Sequence, residues 1–135
     1  MQIGQAARAS GASAKMIRHY EAIGLVAAAE RRDSNYRDYS TDDVARLIFV
    51  RRARDLGFPI ERIRELLALW GDRGRSSGDV KRVALGHIAE LEGRIAGLHE
   101  MVATLHRLAD GCAGDDRPDC PIIEELAGRT PPAPP

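Results

Sequence analysis

The chain has 135 residues, enough for one compact domain with an extension or for two small domains. Charged residues make up 30% and hydrophobic ones 44%, with aromatics at only 4%, which suits a water-exposed, helical, folded protein. Residues 1–8 hold no apolar run of the signal-peptide kind, and no later stretch approaches membrane-spanning length. A cytoplasmic protein without a membrane partner is expected.

Net charge is zero, but the charges are unevenly spread. Residues 1–66 carry 12 Lys/Arg against 9 Asp/Glu, and residues 67–135 carry 8 against 11. Lys15, Arg18, Arg31, Arg32 and Arg37 fall within a short span of the basic half. Such clustering suits a phosphate-contacting face, although an ordinary solvated surface would show the same charges.

In chain order, residues 3–9 read as a short helix ending at Ser10-Gly11, where glycine supplies a left-handed cap. Ser13 then caps a second helix over 14–23, closed by Gly24. Two short helices around a Ser-Gly turn outline a helix-turn-helix, a spacing shared by many small helical proteins. Asp33-Ser34-Asn35 is turn chemistry, and the extended residues around it predict a small hairpin wing presenting Tyr36, Arg37 and Tyr39. A third helix is expected from Thr41 to about Leu56, with Asp42 and Asp43 near its positive end. Gly57-Phe58-Pro59 breaks it, and a fourth helix runs over 60–70. Phe58 and Trp70 are expected in the core.

This divides the chain into a DNA-binding domain over 1–70 and a polar linker over 71–78. A dimerisation helix over 79–109, a loop with a short helix over 110–128, and a disordered tail over 129–135 complete it. Ala84, Ile88, Leu91, Ile95, Leu98, Val102, Leu105 and Ala109 are spaced alternately four and three apart, a continuous heptad seam. An amphipathic helix of this length needs a partner to bury its stripe, and a homodimer supplies one.

The two cysteines, Cys112 and Cys120, lie in a loop rich in Gly, Pro and Asp. A cytoplasmic setting disfavours a structural disulfide, and two thiols are too few for a four-cysteine zinc site. Soft thiolates favour soft ions such as Cu(I), Ag(I) and Au(I), and a d10 monovalent ion is satisfied by two of them. The resulting complex carries a negative charge. The free N–H groups of the helix predicted after Cys120 would offset that charge and lower the thiol pKa. Lys81 is a candidate counter-charge, Asp115, Asp116 and Asp119 should face outward, and His106 is a weaker candidate for a third ligand.

Ile3-Gly4-Gln5-Ala6-Ala7, the run Ile17-Arg18-His19-Tyr20-Glu21-Ala22-Ile23-Gly24-Leu25, and Asn35-Tyr36-Arg37-Asp38-Tyr39 together resemble the MerR family of regulators. Leu56-Gly57-Phe58 and the long helix extend the likeness to about Gly128. Within the family, the seven residues between Cys112 and Cys120, followed by Pro121-Ile122-Ile123-Glu124, are similar to copper-efflux regulators and their gold-responsive relatives. Relatives that take divalent ions carry a cysteine where this chain has Ser77, which favours a monovalent ion. Ala113 and Pro118 lean the likeness toward the gold-responsive branch.

The resemblance implies an all-α fold with a small β wing: a winged helix-turn-helix domain, a long antiparallel coiled-coil dimerisation helix and a C-terminal metal-binding loop. It implies DNA contacts from Lys15, Arg18, Tyr20, Tyr36, Arg37 and, less directly, Arg54. It further implies activation by distorting promoter DNA so that RNA polymerase holoenzyme can use a promoter whose elements are too widely spaced. Three other readings stand beside it. A dimeric metal chaperone or buffer explains the cysteine loop but leaves Arg18, Tyr20 and the wing without work. A thiol redox protein lacks a CxxC pair, and a drug-binding relative would need a larger ligand domain.

Overall fold

The structure, a computed structural model, describes residues 1–32 and 36–129. Its elements are α1 (Ile3–Ser10), α2 (Ala14–Ala22), β1 (Glu30–Arg31), β2 (Arg37–Asp38), α3 (Thr41–Asp55), α4 (Ile60–Gly71), α5 (Ser77–Asp110) and α6 (Pro121–Leu126). This is the expected mostly helical fold with a two-stranded antiparallel wing. The expected Asp33-Ser34-Asn35 turn and the tail over 130–135 lie outside the described residues. No described helix is long and apolar enough to cross a membrane.

Local chemistry sets the boundaries. Gly11 ends α1 at φ +80°, and its N–H reaches the Ala7 carbonyl. The Ser13 hydroxyl accepts from Met16 N at 3.1 Å and starts α2. Ser40 and Asp43 cap α3 reciprocally, side chain to backbone in each direction. Arg64 on α4 donates to the carbonyls of Ile23 (2.8 Å) and Gly24 (3.0 Å), tying α4 to the end of α2.

The chain forms two compact units that divide after His87. In the first, α1 packs on α2 and α3, and α3 packs on α4. Ile17, Leu47, Val50 and Ile63 are its most completely buried side chains. Each contributes roughly 1.5–3 kcal/mol relative to exposure.

Three expectations need correction. Helix α5 starts at Ser77, inside the span read as linker, because the Ser76 hydroxyl accepts from Asp79 N at 3.1 Å and caps it there. Trp70 is 40% exposed, and its ring is stacked on Phe49 with Arg46 over its face, so it covers the core's edge. Arg129, assigned to the tail, is fastened to Glu124 by two hydrogen bonds of 3.0 and 3.1 Å.

Candidate nucleic-acid interface and metal centre

In α2, the side chains of Ile17 and Tyr20, one turn apart, point into the core, while Lys15 and Arg18 are exposed. Tyr20 is only 4% exposed. Its expected role at DNA is therefore corrected: the ring packs the helix onto its domain and is not presented to a groove.

The wing is set by two short strands in register, Glu30 opposite Asp38 and Arg31 opposite Arg37. Arg32 pairs with Asp38 at 2.9 Å across this ladder. Glu21 of α2, whose side chain is 3% exposed, faces Arg37 at 2.7 Å and accepts the Tyr39 hydroxyl at 2.6 Å. The Arg37 contact is an ion pair without hydrogen-bond geometry, since Glu21 Oε2 has no hydrogen-bond partner. Burial, and then the Glu21 carboxylate, raise the Tyr39 phenol above its ordinary pKa.

Arg18, Tyr36 and Arg37 come together with Arg31, Gln2 and Ile3 around an open hollow of about 410 Å³. Three of the six residues expected at DNA thus share one surface. Lys15 is exposed but outside that lining. Arg54 is exposed at the end of α3, with one guanidinium nitrogen donating to the Phe58 carbonyl at 3.2 Å. Sequence reading missed Glu21 as the wing's anchor. The acid is adjacent to Tyr20 in the motif, but its partners lie far along the chain.

The second unit carries the cysteines. Cys112 follows the end of α5, its N–H bonded to the Ala109 carbonyl, and Cys120 is the residue before α6. Their sulfurs lie 3.4 Å apart, both half-buried. The Cys120 thiol is held below the ordinary cysteine pKa, first by the Ile123 N–H, then by Cys112 and the Ile122 N–H. The helix terminus therefore supplies the stabilisation expected of it. Asp115, Asp116 and Asp119 are exposed, Asp115 being turned onto Arg117 at 2.8 Å.

The donor set suits a soft ion: two sulfurs, one with its thiol pKa lowered, beside backbone N–H dipoles that favour its anionic form. Among the described residues no cluster of three His, Cys, Asp or Glu gathers around a metal position. His106, Ala113 and Pro118 are exposed. Ser77 and Lys81 belong to the first unit, where they line an open hollow with Arg73, Arg75 and Val80.

Comparison with known proteins points the same way. Residues 1–70 match the description "MerR HTH family regulatory protein" and residues 44–108 match "MerR, DNA binding". Heavy metal-dependent transcription regulator 2 of Rhizobium meliloti (strain 1021) is 64% identical over 94% of this chain and 86% of its own. The regulator CueR of Yersinia pestis is 42% identical over 95% and 92%. The transcription regulator PbrR691 of Ralstonia metallidurans CH34, solved in complex with lead(II), superposes with a TM-score of 0.82 at 28% identity, covering 93% of this chain and 98% of that one.

Proposed function

The chain belongs to the MerR family of transcription regulators, and from that premise we propose that it is a dimeric promoter-DNA regulator that answers Cu(I), Ag(I) or Au(I). The metal-responsive character follows its relatives. The preference for a monovalent ion rests on donor number: Cys112 and Cys120, whose sulfurs already approach to 3.4 Å, are two soft donors, and no third described His, Cys, Asp or Glu gathers with them. Two soft donors complete the shell of a +1 d10 ion and leave a divalent one short. By resemblance, relatives that take divalent ions carry a cysteine at the position of Ser77, and the serine here supplies no thiolate.

The bound ion would supply one thing, a soft positive centre joining two thiolates. The chain's own residues do the rest. The N–H groups of Ile122 and Ile123 balance the charge on Cys120, and ordering of the 112–120 loop with α6 biases the dimer between two DNA-bound states. In the activating state the protein distorts the promoter for RNA polymerase holoenzyme. Lys15, Arg18, Tyr36, Arg37 and Arg54 provide the DNA contacts in this reading. Ile88, Ile95, Leu98, Val102 and Leu105 are each about half exposed along α5, an apolar stripe suited to a second copy. Promoter binding assigns the protein to the cytoplasm.

A chaperone or buffer without DNA function leaves the Arg18–Tyr36–Arg37 surface unexplained and is not favoured. The test is promoter activation titrated in parallel with Cu(I), Ag(I), Au(I), Zn(II) and Hg(II), in the wild type and in Cys112→Ala. Activation by the monovalent ions alone, abolished in the variant, is expected. A divalent-only response, or an active variant, overturns the reading. The same titration ranks gold against copper, a choice for which Ala113 and Pro118 supply no donor atom.

A further inference from the structure

His87 takes part in neither surface described so far, yet it is 3% exposed. Its ring stacks on Phe58, centroids 4.1 Å apart, and its Nε2 lies 2.8 Å from the Leu56 carbonyl oxygen. A carbonyl only accepts, so Nε2 carries the proton and donates. In the neutral ring Nδ1 is then an acceptor, and it is buried without a hydrogen-bond partner. A leucine would fill this space without orphaning a polar atom. The orphan is accounted for by the bond made at the other nitrogen.

That bond grips the corner between α3 and α4. Gly57 turns it at φ +82°, and Leu56 is 68% exposed, so its side chain gives the corner no packing of its own. His87 holds the corner from both sides, by hydrogen bond to the Leu56 carbonyl and by stacking on the Phe58 ring. The Phe58 carbonyl in turn accepts from Arg54 at 3.2 Å. A path of direct contacts therefore runs from the third turn of α5 to Arg54, all of it inside the first compact unit.

We infer that His87 is a positioning residue for DNA binding, fixing the Leu56–Phe58 corner and through it the guanidinium of Arg54. The inference rests on the proposed contact between Arg54 and DNA phosphate. It also gives the third turn of α5 a hold, through Phe58, on the guanidinium of Arg54.

The test measures how affinity for duplex DNA depends on salt, using the full chain and a duplex selected by the wild type from a random-sequence pool. Arg54→Ala is expected to reduce the slope of log K against log salt by about 0.9 per protomer, the loss of one phosphate contact. His87→Leu should give the same reduction, and the double variant no more than either. His87→Gln, whose amide nitrogen can donate in place of Nε2, should restore the wild-type slope.

A wild-type slope in His87→Leu, losses that add to those of Arg54→Ala, or a glutamine variant indistinguishable from leucine each overturn the inference. If His87→Leu fails to fold, Phe58→Leu removes the stack and is judged by the same slope and the same additivity. If Arg54→Ala itself keeps the wild-type slope, the phosphate contact is wrong and the inference falls with it. If Arg54→Ala lowers the slope and His87→Leu does not, the contact stands and the inference alone fails.

Discussion

Glu21 holds Arg37 at 2.7 Å, an ion pair that fastens the wing to the second helix of the helix-turn-helix. The carboxylate is 3% exposed and the guanidinium side chain 29%, so the acid is the buried partner. Removing the arginine strands a buried charge, which for a fully buried pair costs roughly 3–5 kcal/mol. Arg37 is partly hydrated and Tyr39 still donates to Glu21, so Arg37→Met should cost less, about 2 kcal/mol. At roughly 4–8 °C per kcal/mol for a domain of this size, the melting midpoint should fall by about 8–16 °C. Calorimetry of the variant checks this. An unchanged midpoint would show that the wing does not depend on the pair.

The inward face of α2 gives a second prediction. Ile17 is fully buried, and truncating a buried isoleucine to alanine costs about 2–5 kcal/mol through lost transfer energy and the cavity left behind. Ile17→Ala should lie in the middle of that range and show as a lower midpoint in chemical denaturation. Ala22→Ser, on an exposed position of the same helix, should change stability by less than about 0.5 kcal/mol. Equal effects at the two sites would contradict the orientation of the helix.

That orientation also marks how far the sequence could be read. Gly11, Ser13 and Gly24 act locally, and their caps and turns follow from residue type alone. The heptad seam of α5 was likewise readable, because its period needs no partner to be seen. Tyr20 was misread although it lies three residues after Ile17 and so shares its face. Motif likeness outweighed periodicity there. Glu21 with Arg37 and His87 with Leu56 join residues distant in the chain, and no local pattern announces such pairs. Val80, Val83 and His87 do form a second stripe on α5, spaced three and four apart, of which Val83 and His87 are buried within the first unit. The stronger seam beside it concealed it.

Chemistry at Cys120 should be visible in its reactivity. The N–H of Ile123, with Cys112 and the N–H of Ile122, favours the thiolate and lowers the pKa. A lower pKa means that more thiolate is present at any pH beneath the ordinary cysteine value, so alkylation should accelerate at lower pH than for a free thiol. Iodoacetamide labelling of the metal-free protein across a pH series, with the Cys120 peptide followed by mass spectrometry, measures this directly. A midpoint at or above that of a free cysteine peptide would remove the helix terminus from the account of the site. Because the thiolate is also the metal ligand, proton competition for metal at Cys120 should weaken as pH rises through the same midpoint.

The last prediction concerns the exposed seam. Leu98 is 59% exposed in the single chain and sits mid-seam between Ile95 and Val102. If a second copy covers this stripe, Leu98→Glu places a carboxylate in an apolar interface without a partner, which strongly disfavours association. Ala96→Glu adds the same charge to an exposed position away from the seam and should leave association intact. Two linked DNA-binding heads bind more tightly than one by roughly 10²–10⁴. Sedimentation velocity should therefore find Leu98→Glu monomeric, with DNA affinity reduced by a factor in that range, while Ala96→Glu remains a dimer that binds normally. A Leu98→Glu protein that sediments as a dimer would place the interface on another face of α5. A monomer that still binds DNA with wild-type affinity would instead separate DNA binding from dimerisation.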